Sequence, residues 1–332
     1  MTAFTELSNR FEVGSSRAFP QILKILMNER EAKIILTLPG TAKEIAAKIG
    51  KEENWMAEKL RDLYMRGLII AEAITPEGPI YNITSAGKFM DLVLFDPRYD
   101  GEEFLDLWKS FYHETQLMPS QEGPSDFRVL PLEETIKNTR ILPYEQTSQI
   151  IKSAKKIVVQ TCACRKRERN CDAPLETCIS LDGLAEYVLK RGLGKELTQN
   201  EALKLLKDCE KRGLIHQTAN NDHPDVLCNC CPCCCAFLRA VIYYRKKAAV
   251  VKSRFRPQVD PSKCKDCLKC TRSCYFSAMI NKDGRRIFAE ENCYGCGLCA
   301  AACPNKAIEM VEVFPREHIP EGRGWCPSSV ID

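Results

Sequence analysis

The 332-residue sequence has no run of about 18 consecutive apolar residues, the length a helix needs to span a bilayer. No membrane insertion is therefore expected. Its start, Met1-Thr-Ala-Phe-Thr-Glu, lacks a basic segment followed by an apolar run, so no secretory signal is expected and the cytoplasm is the expected compartment. Charge of one sign is also lacking. There are 48 Lys and Arg against 44 Asp and Glu, a formal charge of +4, so no large field calls for nucleic acid. Dinucleotide, phosphate-loop and hydrolase signatures are absent: there is no Gly-x-Gly-x-x-Gly, no Gly-x4-Gly-Lys-Ser/Thr and no Gly-x-Ser-x-Gly. A nucleotide or flavin site is thus not expected. Histidine is scarce. His113, His216, His223 and His318 stand outside every cysteine motif, which leaves little support for a mixed Cys/His metal site.

Cysteine is abundant instead, with 20 residues. All but Cys209 and Cys326 fall in two blocks, 162–178 with 228–235, and 264–303. A small secreted disulfide scaffold is short and spreads its cysteines along the chain, so that class is excluded. In a reducing compartment clustered thiols bind metal.

Along the chain, residues 1–16 are polar and are expected to be loosely ordered. Apolar positions from Phe19 predict helix up to Pro39-Gly40. Thr41 and Glu44 form a capping-box pattern that opens a second helix ending at Gly50. Trp55, Met56, Leu60, Leu63 and Tyr64 lie at helical spacing over 52–66. Leu68 to Ala71, the turn at 76–79 and Ile80 to Thr84 read as a hairpin, and Thr84 to Gly87 opens another helix. Three helices followed by a hairpin is a winged-helix pattern. The third helix is balanced, with Lys51, Lys59, Arg61 and Arg66 against Glu52, Glu53, Glu58 and Asp62. That suits protein packing or a homodimer better than phosphate neutralisation, and no nucleic-acid partner is expected. Residues 91–150, punctuated by Asp96-Pro97, Tyr99 to Gly101 and Glu122 to Pro124, read as a helical connector. Ile157 to Gln160 reads as a short buried strand, and Thr198 with Glu201 as a second capping box before a helix that stops at Gly213.

The expected class is α+β and multidomain. A winged-helix-like domain spans 1–90, the connector 91–150, a mostly helical Cys-rich domain 151–250, a last compact Cys-rich unit 251–313 and an irregular tail 314–332.

The strongest motif is Cys264-x2-Cys267-x2-Cys270-x3-Cys274, repeated as Cys293-x2-Cys296-x2-Cys299-x3-Cys303-Pro304. Three cysteines at this spacing direct thiolates at three corners of one iron–sulfur cube, and the fourth is carried to the other cube. Cys264, Cys267, Cys270 and Cys303 are expected to hold one 4Fe–4S cluster, and Cys293, Cys296, Cys299 and Cys274 the second. Zinc gives no reason for the doubled spacing. This stretch resembles the bacterial two-cluster ferredoxins over about 55 residues. It departs from them at Tyr275, where that family has a proline after the cysteine.

The other block offers Cys162, Cys164, Cys171, Cys178, Cys228, Cys230, Cys231, Cys233, Cys234 and Cys235. Adjacent cysteines rarely meet bridge geometry, so disulfides explain it poorly. At least one further iron–sulfur cluster is expected here, with zinc as the alternative; spacing does not say which cysteines ligate. Four basic residues within 165–169 and seven within 239–256 fit an anionic cofactor, a solvated face or a docking patch for an acidic partner.

Taken in order, the winged-helix-like start, Leu142-Pro-Tyr-Glu-Gln146, Cys162-x-Cys164-Arg165, Cys171-x2-Pro174-x-Glu176-x-Cys178, the 228–235 cluster and the terminal repeat resemble a family of cytoplasmic 4Fe–4S binding proteins of anaerobes. The resemblance implies architecture and electron transfer, and supplies no substrate. The leading expectation is an electron carrier, or an electron-transfer subunit, serving a redox protein such as an oxidoreductase or another ferredoxin. A reductase with its site at 162–235 and a redox-sensing winged-helix regulator are the alternatives.

Overall fold

A computed structural model describes residues 2–115, 125–136 and 141–322. The Glu122 to Pro124 punctuation, Cys326 and the end of the tail lie outside the described residues.

The N-terminal third is built from α1 (Ala3–Arg10), α2 (Phe19–Leu26), α3 (Glu29–Ile35), α4 (Ala42–Ile49), α5 (Glu53–Met65), the hairpin β1 (Ile70–Thr75) and β2 (Gly78–Asn82), α6 (Ala86–Leu94) and α7 (Glu102–Thr115). The Thr41–Glu44 capping box is present at α4, and Gly50 ends that helix in the left-handed conformation, where a side chain would be strained. Gly40 bridges Tyr81, tying the start of α4 to the hairpin. Residues 2–16, expected to be loosely ordered, are not. Thr2 caps α1, and Leu7 and Phe11 are buried. Phe19 stacks on Phe111 at 4.7 Å and meets Trp108 edge-on, so the core depends on α1, α2 and α7 together. The helix expected from Phe19 to Pro39 is two, because Asn28 opens α3 with its own capping box.

The middle region differs from the expectation of a mostly helical domain. Strands β3 (Phe127–Val129), β4 (Ile157–Thr161), β5 (Glu176–Leu181), β6 (Gly194–Glu196), β7 (Ile215–Ala219) and β8 (Val226–Cys230) form one six-stranded sheet in the order β3-β7-β8-β5-β4-β6. Every pairing in it is antiparallel. Around it lie α8 (Thr147–Ser153), α9 (Ala163–Glu168), α10 (Asp182–Lys190), α11 (Gln199–Lys211) and α12 (Ala236–Ile242). β4 stands where Ile157 to Gln160 predicted a strand; β5, β7 and β8 were hidden because their inward positions carry Cys, Gln, His and Thr, not alternating aliphatic residues. The connector is likewise not purely helical, since it supplies the edge strand β3.

The C-terminal unit pairs β9 (Phe255–Val259) with β12 (Ile308–Glu312) and β10 (Met279–Lys282) with β11 (Arg285–Phe288). Two short helices, α13 (Lys269–Arg272) and α14 (Leu298–Ala301), carry the third cysteine of each triplet, Cys270 and Cys299. Arg254 locks this unit to the middle region. Its guanidinium donates to Glu145 at 3.0 Å and to Glu312 at 2.9 Å, and both Arg254 and Glu145 are buried. Removing one member of a buried ion pair strands the other charge, so Arg254→Met is expected to cost about 3–5 kcal/mol, seen as a lower denaturant midpoint. The Arg254→Met/Glu145→Met double variant is expected to recover much of that loss.

Candidate metal centres

The C-terminal cysteines gather in two groups. Cys264, Cys267, Cys270 and Cys303 line one small cavity; Cys274, Cys293, Cys296 and Cys299 line another. The two halves of the unit are related by a shift of 29 residues that extends to the backbone. Asp266 and Gly295, Leu268 and Gly297, and Ser277 and Lys306 all have positive φ. These paired left-handed positions turn each loop around its thiols. The Cys274 sulfur accepts N–H bonds from Ala278 at 3.3 Å and Met279 at 3.4 Å, and Cys303 accepts one from Ala307 at 3.3 Å. Such N–H donors suit sulfur that carries negative charge. Burial pushes Cys296 up to about 12 and Cys299 well above the ordinary thiol range, so neither is charged at neutral pH without a metal. Four convergent thiols in a pocket whose lining is mostly apolar are the donor set that a 4Fe–4S cube takes.

The family described as "4Fe-4S dicluster domain" matches residues 263–308. This unit is a 4Fe–4S dicluster ferredoxin domain. Pyruvate synthase subunit PorD of Thermotoga maritima is 45% identical over 56 residues, which are 17% of this chain and 57% of that protein. An uncharacterized ferredoxin of Methanocaldococcus jannaschii is 46% identical over 52 residues, 15% of this chain and 31% of the other. Indolepyruvate oxidoreductase subunit IorA of Methanothermobacter thermautotrophicus is 36% identical over 72 residues, 21% of this chain and 10% of the other. The chain spans less than two thirds of each of these relatives. No solved structure matches it significantly. The dicluster domain is an iron–sulfur, electron-transfer unit, and similar segments occur in subunits of oxidoreductases.

The middle-region cysteines lie against the sheet. Gln160 on β4 pairs with Cys178 on β5, and Cys228 on β8 pairs with Gln217 on β7. Cys178 and Cys228 are hydrogen-bonded to each other, so these four residues form one row across the strands. The row floors a chamber of about 50 Å³ that is also lined by Cys162, Cys164, Cys230, Cys231, Cys234 and Cys235. Thiol–thiol hydrogen bonds run in a string from Cys162 to Cys178, Cys228, Cys230, Cys235 and Cys164. Cys178, flanked by Cys162 and Cys228, is held well below the usual thiol range, while hydrogen bonding to Cys178 pushes Cys162 and Cys228 up. Cys171 and Cys233 do not line the chamber. They pack beside Cys231 and Cys234 in a small cluster with Cys209 and Leu214. No histidine lines any of the three cavities.

Sequence reasoning missed Asp91, Gln160 and Gln217, which face the same chamber. Among the described residues Asp91 Oδ1, Gln160 Nε2, Gln217 Oε1 and Arg165 Nε are buried with no hydrogen-bond partner. Burial pushes the Asp91 carboxyl up to about 7 against the pull of Arg167. The only sequence signal was a glutamine closing an otherwise apolar strand.

The basic runs divide. Arg165, Lys166 and Arg167 are buried, which excludes a solvated face there. Arg165 donates to Thr177 Oγ1 and to the Asn229 carbonyl, each at 2.9 Å, and the thiols of Cys162 and Cys231 hold its charge against the desolvation of burial. Arg167 lies 3.8 Å from the centre of the Tyr112 ring and is bonded to Glu168. Arg245 and Lys247, by contrast, are exposed beside exposed Tyr243 and Tyr244.

The domain's turns set a test. A Cβ at Gly295 would lie 2.1 Å from the Phe255 carbonyl oxygen, whereas one at Gly284 meets nothing within 4 Å, although both have positive φ. Gly284→Ala is expected to cost only the left-handed penalty of about 1–2 kcal/mol. Gly295→Ala is expected to lose iron from the adjacent Cys274–Cys299 cavity, measured as iron and sulfide per chain after anaerobic purification.

Proposed function

We propose that the chain is a cytoplasmic iron–sulfur electron-transfer protein that passes single electrons between its dicluster domain and a further cluster in the middle region, to or from a redox protein. Cys264, Cys267, Cys270 and Cys303 hold one 4Fe–4S cluster; Cys293, Cys296, Cys299 and Cys274 hold the other. The two four-thiol cavities and the N–H donors at Cys274 and Cys303 support this assignment. Bound clusters supply one-electron chemistry, and the protein's part is to fix their spacing, charge and exposure. The further cluster belongs in the chamber, whose buried thiols run from Cys162 to Cys235.

The observation that carries the reading is the seam between the two regions. The Leu132 N–H donates to the Cys296 carbonyl at 3.1 Å. Tyr275 stands where the second repeat has Pro304, and its hydroxyl feels Cys233, Cys296 and Cys231 after the dominant desolvation. That hydroxyl is thus within electrostatic reach of thiols of both regions. The relatives named as pyruvate synthase and indolepyruvate oxidoreductase subunits support a partner of the oxidoreductase class. The helix–helix–helix–hairpin order of 29–82 supports a winged-helix-like N-terminal domain. Arg66 on its third helix is engaged by Glu31 at 2.7 Å and Asp62 at 2.9 Å, which favours packing over DNA contact. Exposed Ile25 and Ile74 are apolar surface that a homodimer would use.

A reductase is the second reading. The four unpartnered polar atoms around the chamber favour it, because a bound substrate would satisfy them.

Anaerobic protein is expected to carry iron clearly above the eight atoms that two cubes require. About eight irons per chain would remove the middle cluster and leave the dicluster domain standing. Small thiols are expected to leave the paramagnetic spectrum of the middle cluster unchanged. A change confined to that cluster, with turnover when reductant is supplied, would replace the relay with the reductase.

A further inference from the structure

The middle cysteines are spaced in two different ways. The chamber thiols touch in a string, each meeting one or two neighbours. Cys171, Cys231, Cys233 and Cys234 instead close on a common centre, with all four sulfurs within 4.8 Å of one another. Cys171 lies 3.6 Å from Cys231 and 3.9 Å from Cys234, and Cys234 lies 3.8 Å from Cys233. None of these cysteines is in a disulfide.

We propose that Cys171, Cys231, Cys233 and Cys234 bind a single thiophilic divalent ion, zinc or iron, as a tetrahedral tetrathiolate centre separate from the iron–sulfur clusters. The argument is geometric. Four sulfurs at about 2.3 Å from one ion stand about 3.8 Å apart along the edges of the tetrahedron. The observed 3.6, 3.8 and 3.9 Å straddle that edge. A cube sets each thiolate on its own iron and so spreads the sulfurs by its own width; four sulfurs this close leave no room for one. The dicluster domain gives an internal contrast. Among the described residues no other group of Cys, His, Asp or Glu side chains packs its ligand atoms this tightly, the eight ferredoxin cysteines included.

The surroundings fit a closed ion site. Cys231, Cys233 and Cys234 come from one tight turn after β8, and Cys171 comes from the loop after α9. The Cys233 carbonyl accepts from Asn170 Nδ2 and from Arg239 Nη1, each at 2.9 Å, so two side chains fix the peptide that carries the ligand. A divalent ion with four thiolates has a net charge of −2, which the guanidiniums of Arg165, hydrogen-bonded to Cys231, and Arg239 partly offset. Binding releases the thiol protons and joins two chain segments 60 residues apart.

The test uses the full chain purified anaerobically, with iron, zinc and acid-labile sulfide counted together. Cubes hold iron and sulfide in equal number, so the centre shows as about one metal per chain beyond the sulfide count. Zinc appears as zinc; iron appears as iron in excess of sulfide with the spectrum of a mononuclear tetrathiolate. Cys171→Ser is expected to remove that one metal and to leave sulfide and the cluster signals unchanged. Because this variant can fail to fold, wild-type chain loaded with cobalt in place of the extra metal is expected to show thiolate-to-cobalt charge transfer. A wild-type chain with no metal beyond its sulfide, or a Cys171→Ser chain that loses about four irons with four sulfides, overturns the proposal. The chamber cluster is read separately, from wild-type sulfide: about eight per chain removes it, whereas about twelve with no further metal keeps it and removes only the tetrathiolate centre.

Discussion

Buried charge beside buried sulfur is the constraint on which the rest of the structure turns. Arg165 and Arg167 are essentially inaccessible, and an unpaired guanidinium at such depth would cost several kcal/mol. They are tolerated because thiols surround them. Arg165 lies against Cys162, Cys231 and Cys178, and Arg167 against Cys164 and Glu168. The dependence runs both ways, since a metal–thiolate centre in an apolar pocket is a buried anion. The basic run after Cys164 and the cysteine row on the sheet are therefore one electrostatic unit, folded from segments far apart in sequence.

This explains which features were legible. Capping boxes at Thr41 and Thr198, the 70–82 hairpin and α11 are local patterns, and they stand where the sequence placed them. The ferredoxin repeat is also largely local, since its spacing holds three of each set of four cysteines within a few residues and the repeat itself marks where the fourth comes from. The middle sheet is not. Strands such as Ile215-His-Gln-Thr-Ala219 and Val226-Leu-Cys-Asn-Cys230 bury polar side chains whose partners come from other elements, as Asn229 meets His216 across strands at 2.7 Å. Hydrophobic periodicity has nothing to register there. The partition of the ten cysteines follows from the same cause. Cys228 and Cys230 share one face of β8 by its twofold alternation, and Cys231 lies just past the strand in a turn that redirects it. Sequence spacing sees neighbours; the sheet register separates them.

Order along the chain also misled at the edges. A boundary at residue 90 cuts through α6, whose Asp91 and Phe95 close the wall of the thiol chamber. Arg191 crosses in the other direction from the end of α10, donating to the Met65 carbonyl at 2.7 Å and the Leu92 carbonyl at 2.9 Å. Tyr187 packs edge-on against Tyr64 of α5 at 5.1 Å. The N-terminal helices are thus fastened to the cysteine-rich region at several points, Tyr112 donating to the Ala236 carbonyl and Lys166 to the Asp96 carbonyl among them, and help complete its cavity.

That fastening bears on how the N-terminal unit participates. A regulator that reads cluster state needs a mechanical link from sulfur to its binding helix, and α6 and Arg191 provide one: α6 touches the chamber, and Arg191 touches the end of α5. Yet the C-terminal end of α5 packs against Tyr187, and Arg66 there is engaged by Glu31 and Asp62. What the link transmits most directly is packing, not exposed positive charge. That suits the proposed relay, in which Asp91 and Phe95 close part of the chamber wall and the dicluster domain meets the middle region at Leu132 and Tyr275.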